Sequence, residues 1–139
     1  CEYSGAHNPL YLYRNNVLKE FKGDKISIGD KSDIVRKITK HTFQLEPNDC
    51  IFLFTDGFVD QNGGSNDDKF KYKRFRELLH SIHNLEPADQ SDVLNRIITE
   101  WRGERDQLDD ITILGFRYVP MRQTTVFQQI FQNAEYLKN

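Results

Sequence analysis

Asp56 and the pair Asp109-Asp110 are the residues of this chain best placed to do chemistry, because each stands at the end of an apolar run. Asp56 follows Cys50-Ile51-Phe52-Leu53-Phe54-Thr55, and Asp109-Asp110 leads into Ile111-Thr112-Ile113-Leu114. Ionised carboxylates that converge repel one another, so a shared acidic rim calls for a compensating cation. Hard ions such as Mg²⁺ or Mn²⁺ prefer oxygen ligands and keep several waters, and a metal-bound water is a usable nucleophile near neutral pH. A blander reading fits the same residues. Asp-Gly after a strand is a common turn, and Asp-Asp before a strand is a common solvated loop. Residue type and spacing alone leave the two readings open.

The elements that must position these acids follow from pattern. Cys50–Phe54 is a continuous apolar run of strand length, which implies burial on both faces and a central place in a sheet. Ile111–Tyr118 is β-rich and halted by Pro120, so a second strand is entered through the acid pair. If these two strands are antiparallel neighbours, the end of one and the start of the other share one rim. Upstream, Leu10–Tyr13 and Val17–Phe21 flank Asn15-Asn16, a pair suited to positive φ, which predicts a β-hairpin. Short strands are also expected at Lys25–Ile28 and within Thr39–Leu45, the latter ending at the turn Glu46-Pro47-Asn48-Asp49. The Gly-, Asn- and Asp-rich stretch 58–68 reads as a surface loop.

Helical spacing appears twice. Phe75, Leu78, Leu79 and Ile82 form one stripe, and Leu94, Ile97, Ile98 and Trp101 form another after a start signal at Pro87–Asp89. Strands and helices are thus segregated, which predicts an α+β layered architecture. After Pro120, Val126, Phe127, Ile130, Phe131, Ala134 and Leu137 fall at helical spacing, so residues 120–139 are expected to form an amphipathic tail helix that packs on the body or on a partner, an oligomer included.

Composition narrows the partners. The chain of 139 residues has a formal net charge of -2, 37% apolar and 29% charged residues, which suits a globular domain and offers no cationic field to draw it onto nucleic acid. No apolar stretch approaches the roughly 20 residues of a membrane helix. Two cysteines, Cys1 and Cys50, make no disulfide framework, and a reducing, cytoplasmic setting is expected. His7, in an Asn-Pro turn, reads as structural, His80 and His83 as surface caps near a helix end, and Trp101 as core. Lys69, Lys71, Lys73, Arg74 and Arg76 form a basic cluster whose default is a solvated face and which could steer a phosphoprotein.

Four ordered motifs resemble those of SpoIIE-like phosphatases of the protein phosphatase 2C (PPM) superfamily. Tyr3-Ser4-Gly5-Ala6-His7-Asn8-Pro9 with Leu10-Tyr11-Leu12 is similar to the Ala-Gly-His-Asn-Pro motif and its strand, and Ile28-Gly29 to the Leu-Gly element that follows. Leu45–Gly57 resembles the Leu-x-Pro-Gly-Asp strand ending in Thr-Asp-Gly, and Leu108–Leu114 the closing Asp-Asp-x-Thr strand. The resemblance covers residues 1–119 and implies the C-terminal part of a layered α/β/β/α sandwich. It also implies metal-dependent hydrolysis of phosphoserine or phosphothreonine by a water activated by two Mn²⁺ or Mg²⁺ ions. Asp56 and Asp109 match metal ligands of the family, and Asp110 and Gly57 match positions that support them.

The resemblance further implies bacterial partner-switching signalling, with a phosphorylated anti-sigma factor antagonist as protein substrate and a sensor or regulatory region upstream. Departures matter as well. The family's N-terminal half contributes an Asp-Gly ligand pair and a Gly-rich segment containing a His, and neither occurs in this sequence, so the metal site is expected to be incomplete in this stretch. Gly5-Ala6 inverts the usual order before His7, Asn48 replaces a turn glycine, and Asp60 stands where relatives often carry Glu. The rival expectation is a catalytically inactive, phosphatase-like regulatory or protein-interaction module.

Overall fold

A computed structural model describes residues 1–29 and 38–120 of the chain. The elements run β1 (Glu2–Tyr3), β2 (Leu10–Arg14), β3 (Val17–Phe21), β4 (His41–Thr42), β5 (Cys50–Phe54), α1 (Gly57–Asp60), β6 (Asn62–Gly63), β7 (Asp68–Lys69), α2 (Lys71–Ile82), α3 (Pro87–Arg102) and β8 (Ile113–Arg117). The expected tail helix lies outside the described residues.

Four strands make the main sheet, in the order β3-β2-β5-β8, with every neighbour antiparallel. Asn15 and Asn16 turn the β2–β3 hairpin at φ 49° and 63°, the left-handed conformations that a two-residue hairpin loop demands and that Asn tolerates. β5 lies between β2 and β8, as its unbroken apolar run requires. Alternation along the strands then divides two cores. Tyr11, Tyr13, Cys50, Phe52 and Phe54 face the helices, where Phe58, Phe75, Leu79, Ile82 and Leu94 meet them. Leu10, Leu12, Ile51 and Phe21 face the opposite side, where Tyr3, Phe43 and Leu45 pack against them from the segments around β1 and β4. One helical layer on one sheet, with an apolar second face, is the arrangement expected of part of a layered sandwich.

Several sequence expectations are corrected. Lys25–Ile28 is no strand, because Asp24 makes only an isolated bridge to Ala6 and the chain then turns. The strand expected within Thr39–Leu45 shrinks to the two residues of β4. Stretch 58–68 is more than a surface loop: α1 buries Phe58 and Val59, and β6 and β7 pair across a short turn. His83 is not a surface cap, since it is buried, ends α2 and stacks on Tyr13 at a centroid separation of 4.9 Å. Its ring nitrogens face His80 O at 2.6 Å and Asn16 Oδ1 at 3.0 Å, tying the helix end to the hairpin turn.

One buried charge holds the entry to β5. Asp49 is almost fully enclosed and receives a forked pair of hydrogen bonds from Arg14, from Nε at 2.8 Å and from Nη2 at 2.7 Å. The Glu46 amide adds a third at 2.9 Å, and Glu46 itself pairs with Arg14. These donors, Arg14 first, hold the Asp49 carboxyl below its usual pKa against the opposing cost of burial.

Candidate functional site

Antiparallel pairing decides where the acids fall. β5 runs towards Asp56 and β8 runs away from Asp110, with Phe54 opposite Ile113, so the two strand ends meet on one rim of the sheet. Beyond the ladder the chains stay joined. The Thr55 amide donates to Thr112 O at 3.0 Å, and the Thr112 amide donates to Thr55 Oγ1 at 2.9 Å. Thr55 Oγ1 in turn donates to Asp110 O at 2.9 Å. Thr55 therefore clamps the residue after β5 to the acid pair before β8, a role its side chain performs and strand propensity alone does not reveal.

Gly57 explains itself by contact. A Cβ added there would lie 2.4 Å from Asp110 O, closer than heavy atoms pack, and a tight 3.2 Å from the Ile111 side chain. The absence of a side chain lets α1 start directly against the backbone of the acid pair. Asp56 is the residue before α1, and its carbonyl accepts from the Asp60 amide at 2.9 Å. Burial of Phe58 and Val59 anchors this single turn of helix and so fixes the exit angle at Asp56.

The loop carrying Asp109 is held by a residue that sequence patterning passed over. Gln61 is fully buried, donates from Nε2 to Asp106 O at 3.0 Å, and accepts from the Leu108 amide at Oε1 at 3.2 Å. Its backbone carbonyl accepts from Trp101 Nε1 at 3.0 Å and from the Phe70 amide at 3.0 Å. A buried amide side chain with both ends satisfied is costly to replace, and here it pins 106–108 just ahead of the acids. Gln inside a loop of mixed composition gives no periodic signal, which is why only the fold exposes it.

Asp56, Asp109 and Asp110 are solvent-exposed, and none forms an ion pair among the described residues. Asp109 Oδ1 accepts from the Asp110 amide at 2.7 Å, which turns that carboxylate back over its own backbone. Asp60, by contrast, pairs with Lys69 at 3.1 Å. Hard-oxygen donors without a cationic partner fit a divalent cation. They are too few to enclose one: among the described residues no group of three or more His, Cys, Asp or Glu side chains gathers as a metal cage. The rim thus presents the exposed carboxylates of Asp56 and Asp109, with Gly57 packed against the Asp110 backbone and the Asp110 amide bonded to Asp109.

Comparison with known proteins agrees with this geometry. A sequence profile for Stage II sporulation protein E (SpoIIE) matches residues 1–119. The chain belongs to the SpoIIE family. Among solved structures, the SiaA-PP2C domain of Pseudomonas aeruginosa is similar at 34% identity with a TM-score of 0.72, over 81% of this chain and 44% of that one. The phosphatase domain of the cell fate determinant SpoIIE from Bacillus subtilis shares the fold at 16% identity with a TM-score of 0.60, over 87% of this chain and 52% of that one. A manganese-presoaked form of the same domain gives 15% identity and a TM-score of 0.59, over 88% of this chain and 52% of that one. No curated protein sequence matches the chain. This SpoIIE-family chain spans about half the length of the solved domains it resembles, and the family is one of PP2C-type phosphatases.

Proposed function

We propose that this chain supplies half of the catalytic centre of a protein phosphoserine/phosphothreonine phosphatase, with Asp56 and Asp109 as ligands to Mn²⁺ or Mg²⁺. The observation that carries this reading is the meeting of Thr55–Gly57 with Asp110–Thr112 on one sheet rim, in a chain of the SpoIIE family. The ions, once bound, would supply a water of lowered pKa and neutralise phosphoryl charge. The chain's own residues position. Thr55 and Gly57 hold the two acidic segments in register, Asp110 backs Asp109 through its amide, and Gln61 keeps the preceding loop from swinging away. The remaining ligands would come from polypeptide outside these 139 residues and from water.

The substrate in this reading is a phosphorylated signalling protein of the anti-sigma-antagonist kind, presented in the cytoplasm under the control of an upstream sensor. The experiment is Mn²⁺-dependent release of phosphate from a phosphoserine protein by the full product of the gene, compared with Asp56→Ala and Asp109→Ala. Both variants should lose at least about 100-fold in turnover, the scale on which losing a metal ligand acts. Wild-type turnover in either variant would remove the site assignment. Absence of turnover in the wild-type protein would favour a non-catalytic, phosphatase-like interaction module.

A further inference from the structure

The rim that carries the acids continues across the sheet, and its far side is basic. Antiparallel order places the start of β2 and the end of β3 at the same edge as the end of β5. There a cleft of about 380 Å³ opens between the hairpin, the loops beside it and the first turns of α2. His7, Lys22, Lys25 and Arg76 line it, with Tyr11 at its floor and Tyr72 at its wall. Tyr72 and Arg76 reach it together because residues four apart share one face of a helix. Among the described residues Glu20 is the only carboxylate of the lining. The two lysines and Arg76 against that one acid leave the cleft cationic, while the chain as a whole is acidic.

Two observations ask for an anion. The Tyr11 hydroxyl is fully buried and has no hydrogen-bond partner among the described residues. Arg76 stands beside it, but a guanidinium only donates, so the phenol hydrogen still lacks an acceptor. Arg76 also forms no ion pair among the described residues, whereas Lys69 pairs with Asp60, Lys71 with Asp68, and Arg74 lies over the Trp101 ring at 4.6 Å. An unsatisfied buried donor beside an unpaired cation is costly, and an oxyanion placed between them satisfies both.

The cleft also borders the acidic site. Tyr72, on the cleft wall, packs against Phe54 at a ring-centroid separation of 6.4 Å, and Phe54 ends β5 two residues before Asp56. β2 and β3 lie one and two strands from β5, about 5–10 Å at the usual strand spacing, or about two to three residues of extended peptide.

We propose that this cleft is a subsite for acidic side chains of the protein substrate, two to three residues from the phosphorylated one. The proposal rests on the reading of the protein as a phosphoprotein phosphatase for the identity of its ligand, and its test is independent of turnover. Fluorescence anisotropy would compare a phosphoserine peptide carrying Glu at those flanking positions with the same peptide carrying Gln, on the full gene product at low salt. The Glu peptide should bind about fivefold more tightly, the scale of two exposed ion pairs, and the preference should fade at high salt. Arg76→Gln should abolish the preference. Lys22→Gln with Lys25→Gln, both outside the regular elements, should abolish it as well while leaving the thermal unfolding midpoint in place. Equal binding of the two peptides by the wild type, or retention of the preference in the double lysine variant, would overturn the proposal. Loss of Mn²⁺-dependent turnover with the peptide preference intact would instead strike the catalytic reading and leave the cleft standing.

Discussion

A methyl group at position 57 would sit 2.4 Å from Asp110 O, and relief would require either α1 or the acid pair to move. Gly57→Ala is therefore expected to lower the unfolding free energy by about 1–3 kcal/mol, as overpacking does, and to cut Mn²⁺-dependent turnover more than a surface Gly→Ala would. Chemical denaturation and turnover on one preparation check this, with Gly29→Ala as the comparison: its added Cβ meets nothing within 4 Å and its cost comes from the backbone at φ 83° alone, so it should leave turnover unchanged. At this scale the sequence was informative about residue type and silent about contact. Asp56 and Asp109-Asp110 announce themselves because acids at the ends of apolar runs are conspicuous. Thr55 and Gln61 do not, since their work is done by hydrogen bonds to backbone far away in the chain, to Asp110 O and to the 106–108 loop.

At the scale of elements, the entry to β5 depends on the enclosed pair of Asp49 and Arg14. Removing the charge while keeping the shape, as in Asp49→Asn, leaves Arg14 without its main partner. The expected loss is about 2–3 kcal/mol, below the range for fully buried pairs because Arg14 is partly exposed. The pH dependence has a definite sign. The folded-state pKa of Asp49 is depressed, so its contribution is complete above the ordinary carboxylate range and is lost as pH falls through the lower, folded value. Acid unfolding of the wild type should therefore show a component that Asp49→Asn lacks, measurable as a flatter dependence of stability on pH below about 4.

The hairpin, β5, β8 and both long helices were legible because alternation and helical stripes survive in Leu10–Phe21, Cys50–Phe54, Phe75–Ile82 and Leu94–Trp101. Pattern failed where few residues carry the burial. Phe58 and Val59 are two apolar anchors inside a turn-rich stretch, too few to show a period, yet they seat α1 in the core. Lys25–Ile28 has strand-like composition without a neighbouring strand to pair with, and pairing decides.

For the whole molecule, the same antiparallel order that buries β5 gathers two unlike ends of the sheet onto one edge. Acids stand after β5 and before β8, and cations stand after β3 and on α2. The layered architecture was readable from the segregation of strands and helices, but this polarity along one rim was not, because Lys22, Asp56, Arg76 and Asp109 are scattered along the chain. Only strand order brings them to a common side. The second face of the sheet is apolar, with Leu12 and Ile51 enclosed beneath Tyr3, Phe43 and Leu45, and the chain spans about half of the solved phosphatase domains it resembles.

In the proposed reading Asp56 and Asp109 grip one divalent ion between adjacent strands. Calorimetric titration of Mn²⁺ into the full gene product, wild type against Asp56→Asn and Asp109→Asn, tests it without reference to any substrate. Each variant should bind Mn²⁺ at least about tenfold more weakly while unfolding at the wild-type temperature in the absence of metal. Unchanged Mn²⁺ affinity in both variants would contradict the account.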